Sequence, residues 1–75
     1  MSTVETVWGT VESDDGDLFL GDVPVVELGE GGHYLVLAVG GGYEARWRDE
    51  AGEEHVKAYK AKNAALEKAR ESWGR

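Results

Sequence analysis

The 75-residue chain has no cysteine. Disulfide scaffolds, thiolate zinc sites and cysteine nucleophiles are excluded together. Long apolar runs are missing as well. The longest, Tyr34 to Val39, has six residues, against the ~18 or more that a membrane helix needs, so no membrane partner is expected. The start, Met1-Ser2-Thr3-Val4-Glu5, lacks the basic and apolar regions of a secretory leader, and a cytoplasmic location is expected.

Cations are missing from more than half of the chain. Residues 1–42 hold Glu5, Glu12, Asp14, Asp15, Asp17, Asp22, Glu27 and Glu30 with no Lys or Arg, a charge of −8. Residues 43–75 hold all eight basic residues and seven acids, so the whole carries −7. Such asymmetry speaks of partners more than of fold. A chain this short allows one domain, spanning residues 1–75, and buries little enough surface that self-association is worth testing.

Catalysis finds little to stand on. His33 and His55 have no serine or cysteine at a known motif spacing, so no enzyme is expected. Two distant histidines without cysteine give no zinc pattern. Asp14-Asp15-Gly16-Asp17 lacks the alternating oxygens and closing Glu of a calcium loop and reads as a turn. Gly29-Glu30-Gly31-Gly32 lacks the Lys-Ser/Thr of a phosphate cradle and precedes a strand. No metal and no cofactor is expected.

What is present is mostly strand. Thr3 to Glu12 is rich in β-branched residues and reads as one strand. Leu18–Leu20 and Val23–Leu28 follow, split by Gly21-Asp22. Pro24 cannot donate to a ladder, which predicts an edge strand, a bulge or a kink. His33 to Val39 is apolar on both faces, so both need covering, by a helix on one side and by folded-back N-terminal strands or a second protomer on the other. Gly40-Gly41-Gly42 predicts a hairpin turn. Tyr43 to Asp49 alternates, with Tyr43, Ala45 and Trp47 on one face and Glu44, Arg46 and Arg48 on the other. Opposing Arg48 to Glu53 would set Ala45 against Val56 and Glu44 against Lys57, matching apolar to apolar and charge to charge.

Lys62 to Trp73 is the one clear helix, with Ala65, Leu66, Ala69 and Trp73 as its apolar stripe, Glu67 beside Arg70 outside it, and Gly74 as its stop. Trp47 and Trp73 are expected to meet where helix and sheet join. The expected fold is α+β: an antiparallel sheet of four to six short strands with one C-terminal helix packed on it, or a small partly closed barrel plus helix.

Tyr43-Glu44-Ala45-Arg46-Trp47-Arg48-Asp49, Gly52, Lys57-Ala58-Tyr59-Lys60-Ala61-Lys62 and Ala65 resemble the AP2-like arm-type DNA-binding domain of phage integrases. The resemblance spans residues 43–75. It implies a three-stranded antiparallel sheet backed by a helix, with the sheet entering the major groove. Arg46, Arg48, His55 and Lys57 would then approach bases and phosphates, and Lys60 and Lys62 the backbone. It also implies a phage or mobile-element setting.

Three functions follow, with partner binding ranked first on charge, DNA binding second on resemblance and assembly third. The first is a small acidic protein-binding module whose Glu12, Asp14, Asp15, Asp17 and Asp22 meet a partner with a basic surface. In a phage setting that partner would be a nucleic-acid-handling defence complex, with the acids imitating phosphates, as in anti-CRISPR and anti-restriction inhibitors. The second is DNA binding of the integrase-arm type, which the net charge of −7 opposes. The third is a homo-oligomeric assembly subunit joined through the doubly apolar strand.

Overall fold

The computed structural model describes residues 2–73. Seven strands run in order: β1 (Ser2–Thr6), β2 (Gly9–Asp14), β3 (Asp17–Leu20), β4 (Val23–Leu28), β5 (Tyr34–Val39), β6 (Gly42–Arg48) and β7 (Glu54–Tyr59). A 3-10 turn at Glu30–Gly32 precedes β5, and α1 (Lys62–Trp73) ends the fold. The strands form one sheet in sequential order, with every neighbouring pair antiparallel. The α+β class is as expected. The strand count is seven rather than four to six.

The extra strand comes from a turn hidden inside the Thr3–Glu12 segment. Thr6 Oγ1 accepts from the Trp8 backbone N–H at 3.1 Å and donates to the Gly9 carbonyl at 2.6 Å. Gly9 has φ +128°, open to glycine. The threonine therefore closes a two-residue turn around Val7-Trp8, residues whose own preference is for strand.

Pro24 lies in an interior strand. The β4–β5 ladder begins only at Val25↔Leu37, so the missing N–H removes no bond from it. A bulge follows, with Val26 as the extra residue between the paired Val25 and Glu27. Val25 stays with the Leu35 side of the sheet, while Val26 packs on the helix side.

The sheet is curled. In a flat sheet β1 and β6 would lie about 24 Å apart, at ~4.8 Å per strand. Yet the Arg48 guanidinium stands 5.6 Å from the ring of Trp8, in the β1–β2 turn. Gly32 lies so close to Thr6 that a Cβ there would come within 2.5 Å of the Thr6 Cβ. The curl buries Val11, Val25, Leu35 and Leu37 on the inner face, flanked by Trp8, Leu18, Leu20, Val23, Leu28 and Val39. Since β1 and β7 share no ladder, the sheet stays open and is not a barrel.

Helix α1 covers the other face, placing Ala65 and Ala69 against Val36, Ala45 and Trp47. Alanines at these two positions let the helix axis approach the sheet closely. Arg70 reaches Glu27 on β4, with Nη2 2.6 Å and Nε 3.1 Å from Oε1, and not Glu67 within its own helix. That carboxylate, with the Tyr34 hydroxyl beside it, holds the Arg70 guanidinium above its ordinary value. Trp73 stacks on His33 with ring centres 4.0 Å apart, while Trp47 stacks on His55 at 5.6 Å. The two tryptophans thus each take a histidine. Gly74, expected to stop the helix, lies outside the described residues.

Leu35 and Val36 are both fully buried, on opposite faces of β5. The doubly apolar strand is therefore covered within one chain, which removes the reason for a second protomer at this strand.

Candidate functional site

The acidic residues are arranged by the registers of β1, β2 and β3. Thr3 opposes Glu12, Glu5 opposes Thr10, Glu12 opposes Phe19, and Asp14 opposes Asp17. Directly opposed residues share a face, as do residues two apart on one strand. Glu5, Glu12, Asp14 and Asp17 therefore share one face, opposite the buried Val11. All four are exposed. Asp15 stands at the turn beside them with φ +52°, followed by Gly16 at φ +87°, the two left-handed residues of a tight hairpin. Asp22 is separate: it lies in the β3–β4 turn, at the far end of β3. Four of the five acids expected from sequence thus gather, and one does not. Glu5 joins them and was missed, because only the Val7-Trp8 turn folds β1 back beside β2.

Among the described residues, ion pairs join Arg46 to Glu44 and Arg70 to Glu27, and a hydrogen bond joins His55 to Asp49. None involves Glu5, Glu12, Asp14, Asp15, Asp17 or Asp22. The Thr10 hydroxyl donates to Glu5 at 2.9 Å. Opposing Asp14 to Asp17 costs stability, because like charges directly opposite each other across a ladder repel.

The basic residues do not form one surface. The expected β6–β7 register is shifted by one: Arg48 opposes Glu54, Arg46 opposes Val56, Ala45 opposes Lys57, and Glu44 opposes Ala58. The turn sets this. Asp49 N–H donates to the Glu53 carbonyl at 3.1 Å, and Asp49 Oδ1 accepts the Glu53 N–H at 2.9 Å. Asp49 and Glu53 thus close the loop, and the ladder begins one residue later. His55 and Lys57 consequently lie on the helix side with Trp47, while Arg46 and Arg48 lie on the inner side. Arg46 is held by Glu44 at 2.8 Å, and Arg48 lies over Trp8. Arg48 Nε and Trp8 Nε1 are buried with no acceptor, which costs roughly 1–3 kcal/mol per group. Lys60 sits in the connection to α1, and Lys62 is the first residue of that helix. Strands β5, β6 and β7 run consecutively and are followed by α1. Their face away from the helix, however, holds Leu35 and Leu37 beneath the N-terminal strands.

The β6–β7 turn brings Asp49, Glu53 and His55 together. One donor atom from each lies within 4.8 Å of the others. A shallow open groove runs along α1, lined by Asn63, Leu66, Glu67, Arg70 and Glu71. No family model, curated protein or solved structure matches the chain.

Proposed function

We propose that this chain is a non-enzymatic protein-binding module that lays the outer face of its N-terminal strands on a basic, nucleic-acid-handling surface of a partner. The observation that carries this reading is the set of exposed carboxylates of Glu5, Glu12, Asp14 and Asp17 on one face, outside every ion pair among the described residues. Same-face residues repeat at about 6.6 Å along a strand, and opposed ones lie about 5 Å apart. The result is a dense, regular array of negative charge. A nucleic-acid strand likewise offers its partners closely spaced anions, one per ~3.4 Å of axis. A surface built to neutralise phosphates would accept such an array and be blocked by it. The resemblance of residues 43–75 to a phage integrase module adds a mobile-element setting, in which blocking a host defence complex is the matching role.

The test uses the chain as bait, beside a Asp14→Lys/Asp15→Lys/Asp17→Lys variant and an Asp22→Lys control. The captured partner should be basic, should be lost with the triple variant, and should persist with Asp22→Lys. Nucleic acid should compete for it, and added salt should slow association more than it speeds release. Equal capture by the triple variant would contradict the reading. Direct, salt-sensitive binding of duplex DNA by the free chain would move the function to the basic residues.

A further inference from the structure

We propose that the β6–β7 turn is a binding site for a divalent transition-metal cation of the zinc, cobalt or nickel type, held by His55 Nε2, Asp49 Oδ2 and a carboxylate oxygen of Glu53. The site lies outside the acidic outer face and does not depend on the docking reading.

The geometry comes first. His55 Nε2 and Asp49 Oδ2 stand 2.9 Å apart. Two ligands on one tetrahedral zinc ion, each at about 2.0–2.2 Å, lie about 3.3–3.6 Å apart. The nitrogen and oxygen need to part by only about 0.5 Å, which side-chain rotation supplies, so a cation can replace the proton between them without moving the backbone. The donor atoms of all three residues fall within 4.8 Å of one another. Glu53 is exposed, and its side chain can rotate to complete the set.

Support around the ligands comes next. Asp49 uses its other oxygen, Oδ1, to accept the Glu53 N–H at 2.9 Å, which aims Oδ2 at the imidazole. The His55 ring lies nearly parallel to Trp47, at 14°. Trp47 is itself fixed in the core under α1. Ligands oriented by neighbours of this kind lose less freedom on binding. The charge is also suited. Residues 49–54 contain Asp49, Glu50, Glu53 and Glu54 with no Lys or Arg. Arg48 and Lys57, next along the strands, are engaged over Trp8 and Tyr59.

The donor set decides the class of ion. One imidazole nitrogen with two carboxylates suits zinc and its neighbours in the first transition row, whereas calcium and magnesium prefer oxygen alone. Three protein ligands leave a position open for water or for a partner's side chain.

The experiment is calorimetric titration of zinc chloride into the metal-free chain and into His55→Gln, Asp49→Asn and His33→Gln variants. Wild type should bind one ion per chain. His55→Gln and Asp49→Asn should each weaken binding more than about tenfold, since even supporting residues cost 10–100-fold. His33→Gln should leave it unchanged. Should a variant fail to fold, paramagnetic cobalt added to wild type gives an independent reading. It should broaden the His55 ring and Trp47 indole signals before those of Trp8 and Trp73. No saturable zinc binding, binding that survives His55→Gln, or cobalt broadening centred on His33 or on Asp14–Asp17 would each overturn the proposal.

Discussion

Replacing Gly32 by alanine should destabilise the protein far more than the same change at Gly16. Both glycines have left-handed backbones, with φ +73° at Gly32 and +87° at Gly16. Each alanine therefore meets the ~1–2 kcal/mol cost of that region for a residue with a Cβ, and each gains the same ~0.4–1 kcal/mol from a less flexible unfolded chain. Their surroundings differ. Nothing lies within 4 Å of a Cβ at Gly16, whereas one at Gly32 would come 2.5 Å from Thr6 Cβ and 2.8 Å from Thr6 Cα. The second contact is backbone and cannot rotate away. Forcing a methyl into packed surroundings adds ~1–3 kcal/mol, so Gly32→Ala should cost roughly 2–4 kcal/mol net, against about 1 for Gly16→Ala. A chain of this length has roughly 4–11 kcal/mol in total, and each kcal/mol moves its melting temperature by ~4–8 °C. Urea unfolding followed by tryptophan fluorescence measures both variants. Equal losses would mean that β1 does not seat against the Glu30–Gly32 turn, and the curl of the sheet would be refuted.

Asp17→Lys should raise the melting temperature by a few degrees at low salt, because it turns the opposed Asp14/Asp17 pair from repulsive to attractive, each such pair being worth ~0.2–1 kcal/mol. The gain should shrink as salt is added, and a lower melting temperature would contradict the assigned register. Leu35→Ala removes a fully buried side chain from the inner core and should cost about 2–5 kcal/mol in urea unfolding; a loss below ~1 kcal/mol would mean that the inner face is loosely packed. The hydrogen bond from His55, with that from the Glu53 backbone, holds the Asp49 carboxyl below its ordinary value of 3.8. Because the folded value is the lower one, Asp49 adds stability above the unfolded value and loses it as pH falls through the folded one. The urea midpoint of wild type should therefore exceed that of Asp49→Asn above about pH 4 and converge on it below. A gap that widens in acid would reverse that sign.

Helix α1 was legible from its start at Lys62, since Lys62–Trp73 combines strong helix formers with an apolar stripe at helical spacing. The glycine turns and the double burial of β5 were legible for similar reasons: each depends on residues close together in the chain. The features that escaped depend on single hydrogen bonds or on distant contacts. Val7 and Trp8 favour strand, and the Thr6 hydroxyl together with the positive φ of Gly9 makes them a turn. The pairing of β6 with β7 looked best with Lys57 against Glu44, but the double contact between Asp49 and Glu53 overrides those weaker cross-strand preferences. That one-residue shift sends His55 and Lys57 to the opposite face from Arg46 and Arg48. It also brings His55 to Asp49, a pairing that the wide spacing of the two histidines concealed. The acidic face was half legible. Its charges were plain, but Glu5 could be added and Asp22 removed only once the hairpins were folded.

The most direct test of the docking claim is a competition measured by fluorescence anisotropy. A labelled duplex is first bound to the captured partner, and the chain is then added. The account expects wild type and Asp22→Lys to displace the duplex, and Asp14→Lys/Asp15→Lys/Asp17→Lys to leave it bound. Displacement by the triple variant as effective as by wild type would contradict the assignment of the acidic outer face as the docking surface.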